Sequence, residues 1–224
     1  MIWAGESRMR NITKKDLLFY AVTDRRCLFE GTLTEAVKKA LDGGVTCLQL
    51  REKQMTEDDF LREAIEIKRI TEQYHIPLII NDQVEIAVKA EADGVHIGQK
   101  DMSVVAARER LGKENIIGVT ARSVKQALEA EKNGAEYLGS GAAFTTKTKQ
   151  DAVPMTEETM KAICQSVKLP VVAIGGITCE NMEQLYGRGI AGIAVVSSLF
   201  AAEDIYKQAV KMRKRAEELF GEKE

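Results

Sequence analysis

What most constrains the fold of this chain is an alternation: short apolar runs and longer stretches of helical period take turns along its whole length. That is the pattern of βα units wound around a parallel sheet. The apolar runs are 17–23, 47–51, 78–81, 94–97, 116–120, 137–140, 171–174 and 192–196. Between the second and third, Phe60, Ala64 and Ile67 recur at i, i+4 and i+7, with Leu61, Ile65 and Ile70 alongside. Such a stripe presses one helix face onto a sheet. Thr32 with Glu35 and Ser123 with Gln126 fit the capping box, in which two side chains satisfy each other's orphan backbone donors. Gly43-Gly44, Gly94, Gly134 and Gly189 each follow a helical stretch and precede an apolar run, where a left-handed residue turns the chain into the next strand. The chain has three prolines, none in a Pro/Gly/Ser-rich stretch, so no linker interrupts the series. Eight strands, each followed by a helix, predict an α/β fold, a single-domain (β/α)8 barrel over 14–224. A doubly wound open sheet is the structural rival. Residues 1–13 read as an N-terminal extension that need not be ordered.

Composition narrows the function classes. The 32 basic residues nearly balance 34 acidic ones, net −2, without a block of like charges, so neither nucleic acid nor an anionic membrane is an expected partner. Apolar runs such as 78–80 and 194–196 fall far short of the roughly 18 residues a membrane span needs. No apolar core follows the positive charges of 1–10, so no secretory signal is read and a cytoplasmic protein is expected. Cys27, Cys47, Cys164 and Cys179 are scattered, with only His75 and His96 to join them, so no structural zinc site is expected and the thiols read as small core residues.

In a barrel, the loops after the strands' C-terminal ends open on one face, where barrel active sites sit. The second run continues as Gln49-Leu50-Arg51-Glu52-Lys53, so alternation puts Gln49, Arg51 and Lys53 on one side. An amide with two cations suits an anion. The third run ends Asn81-Asp82, and the fourth leads through Gly98-Gln99-Lys100 to Asp101. Two carboxylates and an amide make an oxygen-rich pocket of the kind Mg²⁺ occupies when it also ligates phosphate, with Asp82 and Asp101 as ligands. The competing possibility is that each Asp caps the helix after it. After the sixth run, 139–151 places small residues before hydroxyls and two lysines, as a flap closing on an anion would. Gly175-Gly176 and Ser197, after the last two runs, suggest a second phosphate site. Two phosphorylated substrates are implied. His75 at a helix end and His96 inside a strand look ill placed for acid or base work, so the chemistry should need little of either.

Laid in order, Gln49-Leu50-Arg51-Glu52-Lys53, Asn81-Asp82, His96-Ile97-Gly98-Gln99 with Asp101, Gly118-Val119-Thr120, Thr146-Lys147-Thr148-Lys149, Gly175-Gly176-Ile177 and Val196-Ser197 closely resemble the thiamine phosphate synthase family. The resemblance implies Mg²⁺-dependent condensation of hydroxymethylpyrimidine diphosphate with hydroxyethylthiazole phosphate on a (β/α)8 barrel. It assigns Gln49, Arg51, Lys53, Asn81, Thr120 and Lys149 to the pyrimidine diphosphate, with Arg51, Lys53 and Lys149 acting on the leaving group. It gives Asp82 and Asp101 to the metal, and Thr146, Thr148, Gly176, Val196 and Ser197 to the thiazole phosphate. One departure is visible: Gly141-Ala142 and Phe144-Thr145-Thr146 stand where the family usually has Gly-Pro and an aromatic-Pro-Thr, so two fixed φ angles are missing from the loop. Two other readings compete, a thiazole tautomerase-like isomerase and a noncatalytic phosphate-ligand-binding barrel. The retained Asn81-Asp82, Asp101 and Lys149 favour the synthase, because a tautomerase has no diphosphate to neutralise. The oligomeric state stays open, a homo-oligomer included.

Overall fold

A computed structural model of the chain describes residues 12–145 and 154–222. The apolar runs become eight strands: β1 (Phe19–Val22), β2 (Cys47–Leu50), β3 (Leu78–Asn81), β4 (Gly94–Ile97), β5 (Ile116–Thr120), β6 (Tyr137–Gly141), β7 (Val171–Ile174) and β8 (Gly192–Val195). All neighbours pair in parallel, and β8 pairs back onto β1, closing the barrel. Closure removes the open-sheet rival. The run 17–23 yields a shorter strand than expected, with Leu17 below it and Thr23 above, where Thr23 N–H still donates to Gln49 O at 2.9 Å.

The helices are α1 (Leu33–Asp42), α2 (Glu57–Gln73), α3 (Val84–Lys89), α4 (Val104–Leu111), α5 (Val124–Lys132), α6 (Glu157–Ser166), α7 (Ser197–Phe200) and α8 (Ile205–Phe220). Not every strand is followed by a full helix, which corrects the sequence expectation. After β7 there is only a 3₁₀ turn, Met182–Leu185. Its span is pinned at one side by Asn181, which accepts Thr178 N–H and donates to Gly176 O, and ended at the other by Gly187 and Gly189, both at positive φ. Among the described residues no helix is long and apolar enough to cross a membrane.

The Thr32/Glu35 capping box is complete. At α5 only half of one forms: Ser123 accepts Gln126 N–H, but the Gln126 amide reaches past the cap to Arg122 N–H. The turn glycines also divide. Gly44, Gly134 and Gly189 take the left-handed conformation, at φ 97°, 90° and 85°, which a Cβ would disfavour. Gly94 does not; it opens β4, where a Cβ would press on Ile116 O and lie 2.7 Å from Ile116 Cβ. The left-handed residue of that turn is Glu91 (φ 51°). Gly94 therefore serves close strand packing rather than the turn.

Strand alternation sorts the core in two. Phe19, Ala21, Leu48, Leu50, Leu78, Ile80, Val95 and Ile97 face outward and pack with Phe60, Ala64 and Ile67 of α2 and the inner faces of the other helices. The opposite parity fills the barrel: Tyr20, Val22, Cys47, Ile79, Ile116, Tyr137, Val172 and Ala194, with Leu17 and Ile12 packed beneath them. Ile12 falls within the segment read from sequence as an extension. The barrel interior is thus closed at its base and carries polar side chains only towards its upper end.

Candidate active site

A cavity of about 740 Å³ opens at the C-terminal ends of the strands. Gln49, Arg51 and Lys53 line it beside Asn81, Asp82 and Asp101. Thr120 borders it from β5, and Gly176, Val196 and Ser197 from the last two strand ends. Strand parity had left Gln49, Arg51 and Lys53 on one unspecified side; that side is the cavity. Thr146, Thr148 and Lys149 lie outside the described residues.

On one wall the Lys53 Nζ stands 2.5 Å from Asp82 Oδ2. Asp82 adopts φ 62°, unusual for a residue with a side chain, and its N–H donates to His96 O at 2.8 Å. Neither aspartate caps the helix after it. The N-cap of α3 is Gln83, which makes no side-chain cap, α4 is capped by Ser103, and Asp101 instead accepts Gly98 N–H at 2.7 Å. Burial pushes the Asp82 carboxyl up, but hydrogen bonding and attraction from Lys53, with hydrogen bonds to Asp101 and Asn81, hold it below the usual range. Asp101 goes the other way: burial raises it, the Gly98 N–H opposes this, and the neighbouring Asp82 raises it further. Two touching carboxyls with one cation beside them form a site short of positive charge.

That donor set fits Mg²⁺. No group of three or more His, Cys, Asp or Glu suited to a metal occurs among the described residues, so no complete protein cage is present. Two hard carboxylates in a cavity wide enough for phosphate match an ion that keeps waters and takes substrate oxygens.

Arg51 is aimed by a residue that the sequence reading did not single out. Its Nη1 donates to Asp24 Oδ2 at 3.2 Å, and its backbone N–H donates to Thr23 Oγ1 at 2.9 Å. Asp24 is 4% exposed and is held in turn by Arg26, whose Nε and Nη2 donate to its two oxygens at 2.8 and 2.6 Å. These bonds from Arg26 hold the carboxyl of Asp24 below its ordinary range against the effect of burial. A signal was available: Asp24 ends the first apolar run as Asp82 ends the third, a carboxylate at a strand's C-terminal end.

The floor of the cavity is a polar chain. Gln49 Nε2 donates to Tyr20 Oη at 2.8 Å, and Tyr20 Oη lies 2.9 Å from Tyr137 Oη. Tyr137 Oη lies 3.0 Å from His96 Nδ1, and His96 Nε2 lies 3.0 Å from Thr120 Oγ1. His96 sits inside β4, as the sequence has it, and strand parity turns its ring inward, since in a barrel every second strand residue points inward and His96 lines the cavity. Burial raises both tyrosine pKa values well above 10, so these hydroxyls stay neutral.

At the far wall Gly175 (φ 103°) and Gly176 (φ 66°) let a neighbouring loop come close. A Cβ on Gly176 would meet Thr145 O, and one on Gly175 would lie 2.8 Å from Ala142 Cα. Ala143 N–H donates to Ile174 O at 2.8 Å and Phe144 N–H to Gly175 O at 3.0 Å, while Ala142 O accepts from Met155 N–H at 2.7 Å. These bonds tie 142–144 to β7 without the two prolines.

Comparison with known proteins agrees with this geometry. The thiamine monophosphate synthase family profile matches residues 19–199. A thiamine-phosphate synthase of Clostridium acetobutylicum is 51% identical over 201 residues, covering 90% of this chain and 94% of that protein. One from Ruminiclostridium cellulolyticum is 48% identical over 200 residues, 89% and 95% of the two chains. Among solved structures, a thiamine phosphate pyrophosphorylase from Pyrococcus furiosus superposes with a TM-score of 0.86 at 38% identity, over 93% of this chain and 99% of that one. With the barrel, the strand-end residues and relatives of matching length in agreement, the chain belongs to the thiamine monophosphate synthase family.

Proposed function

We propose that the protein is a thiamine phosphate synthase: it joins hydroxymethylpyrimidine diphosphate to hydroxyethylthiazole phosphate and releases pyrophosphate. The observation that carries this reading is that one cavity holds Arg51 and Lys53 with the Asp82/Asp101 pair on one side and Gly176 and Ser197 on another. A diphosphate and a monophosphate both find partners there. Relatives named for this activity, aligned over nine-tenths of the chain, support it further.

In the reaction the methylene carbon of the pyrimidine loses its C–O bond, the electron pair leaves with pyrophosphate, and the thiazole nitrogen's lone pair forms the new C–N bond. No proton need move to or from the nucleophile. The barrier is therefore the charge gathering on the leaving oxygens, and groups already aimed at that charge lower it. Arg51, fixed by Asp24, and Lys53 are such groups in the described residues; Lys149 is assigned the same work. Asp82 and Asp101 would hold Mg²⁺, which when bound adds further charge stabilisation on phosphate oxygens. Gln49, Asn81 and Thr120 orient the pyrimidine. Thr146, Thr148, Gly176, Val196 and Ser197 hold the thiazole phosphate and so place the ring nitrogen for attack on the carbon as the C–O bond breaks. Phosphorylated substrates that do not cross a bilayer fit a cytoplasmic enzyme.

The test is pyrophosphate release by the purified protein supplied with both substrates, first with Mg²⁺ and then with EDTA. Release that needs both substrates and stops in EDTA is expected. Release no faster with both substrates than with the diphosphate alone overturns the joining reaction, and release undiminished in EDTA overturns the metal's part in it; no release, with thiamine phosphate still raising the melting temperature, leaves a binding protein.

A further inference from the structure

The buried chain from Gln49 to Thr120 has no part in the bond-making step, yet it joins two residues that the proposed function assigns to one substrate. It runs across the barrel through strands β2, β1, β6, β4 and β5, and its two central hydroxyls are sealed from water: Tyr20 is 2% exposed and Tyr137 is not exposed at all. Room for it is built in by glycines. A Cβ on Gly118 would fall within the Tyr137 ring, and one on Gly139 would lie 3.0 Å from His96 Cε1. The Tyr20 and Tyr137 rings meet edge to face at 6.0 Å, and the His96 ring lies 5.5 Å from Tyr137. A buried hydroxyl must find both a donor and an acceptor where it can, since each unmet group costs about 1–3 kcal/mol.

That requirement gives the chain a direction. Nε2 of Gln49 is a donor only, so Tyr20 Oη accepts there. The Tyr20 proton then goes to Tyr137 Oη, because the other polar group in its electrostatic neighbourhood, the Cys47 thiol, is a weak acceptor. Were Tyr137 to donate to Tyr20 instead, Tyr20 would accept twice and keep a buried proton without an oxygen to receive it. Tyr137 therefore donates to His96 Nδ1. A neutral imidazole protonated on the other nitrogen donates from Nε2 to Thr120 Oγ1, which leaves the Thr120 proton for an acceptor in the cavity. The opposite polarity is self-consistent only if the Gln49 amide is turned, with Oε1 on Tyr20 and His96 protonated at Nδ1. The amide orientation and the histidine tautomer are thus one variable read at two ends.

We propose that Tyr20, Tyr137 and His96 are positioning residues that lock this polarity, so that the cavity offers Gln49 Oε1 as acceptor and the Thr120 hydroxyl as donor to a heteroaromatic ring carrying an amino donor and a ring-nitrogen acceptor. Among the described residues Gln49 Oε1 takes no protein hydrogen bond, and Thr120 Oγ1 meets only His96. The inference rests on the proposed function for the identity of that ring, an aminopyrimidine. A ring lacking the amino group leaves the acceptor unmet and is discriminated against by the desolvation of Gln49 rather than by shape.

The chain has two histidines, which makes the tautomer directly readable. Protein labelled with ¹⁵N-histidine is examined by NMR at a pH that keeps the rings neutral. The His75→Asn variant assigns the signals, since Asn tolerates the φ of 57° at that position. The expected result is His96 in the Nε2–H form in the unmutated protein, without any substrate. Nδ1–H at His96 overturns the proposal, whatever the enzyme does. In Tyr137→Phe the tautomer should become mixed, and KM for the pyrimidine diphosphate should rise about tenfold, the equivalent of one hydrogen bond, with KM for the thiazole phosphate unchanged. A general loosening of the barrel would raise both. An unchanged pyrimidine KM in a folded Tyr137→Phe protein also overturns the positioning role. Failure of the proposed function, by contrast, would show as no turnover while the Nε2–H signal persists.

Discussion

At the residue scale, the cavity's charged groups are arranged against their own simplest electrostatics. A carboxylate beside an anion site repels the substrate, yet Asp24 is buried there with Arg26 and Arg51 on it. Its value lies in fixing the direction of the Arg51 fork, because a guanidinium free to turn gives up its geometric match to phosphate oxygens. Asp24→Asn should therefore raise KM for the diphosphate, whereas a role as mere negative charge predicts a lower KM; steady-state kinetics with each substrate varied separately decides the sign. The same residue makes a pH prediction. Its folded-state pKa is depressed, chiefly by hydrogen bonds from Arg26, so its contribution to stability is present above the unfolded carboxylate value of about 4 and is lost as pH falls through the lower folded value. Denaturation curves of the two proteins should differ most near neutrality and converge in acid. Asp82→Ala should remove the Mg²⁺ response of turnover; a Mg²⁺ titration of the variant matching that of the parent would end the metal assignment. At this scale the sequence showed residue types, and Asp24 and His96 escaped because their meaning depends on what lies across the barrel from them.

The elements follow from local rules wherever a local interaction decides them. Thr32 and Glu35 satisfy each other's backbone donors, and the α2 stripe needs only a helical period to find its buried face. Gly94 and Gly118 were not legible in that way. Both look like turn or strand-weakening glycines in one dimension, but each makes room for a neighbour more than 20 positions away or close to it, Ile116 and Tyr137. Gly118→Ala should force the Tyr137 ring to move and cost roughly 1–3 kcal/mol, the range for overpacking a filled core. Thermal melts with near-ultraviolet circular dichroism would register both effects, and an unshifted melt with an unchanged tyrosine signal would show that the ring had space to spare.

For the whole molecule the decisive event is closure. β8 pairs with β1, and outside that seam α8 packs on α1, where a Cβ on Gly43 would run into Ala209. Ala209 is fully buried, so Ala209→Leu should wedge the first and last helices apart and lower the melting temperature, while a comparable Leu on the exposed face of α8 should not. Closure also converts parity into function. Once the ring is complete, alternate residues of every strand share one interior, and polar residues from β1, β2, β4, β5 and β6 become neighbours.

The sequence by itself determined the succession of strands and helices, that Gln49, Arg51 and Lys53 stand together on one side, and the strand ends at which Asn81, Asp82, Asp101, Gly176 and Ser197 fall, because periodicity and turn chemistry act over a few residues. Only the tertiary structure decided that the sheet closes, that Asp24 aims Arg51, and that Gln49, Tyr20, Tyr137, His96 and Thr120 form one hydrogen-bonded chain. The side-chain bonds of that chain alone join residues up to 117 positions apart, and hydrogen bonds of that separation exist only after packing has brought the strands into register.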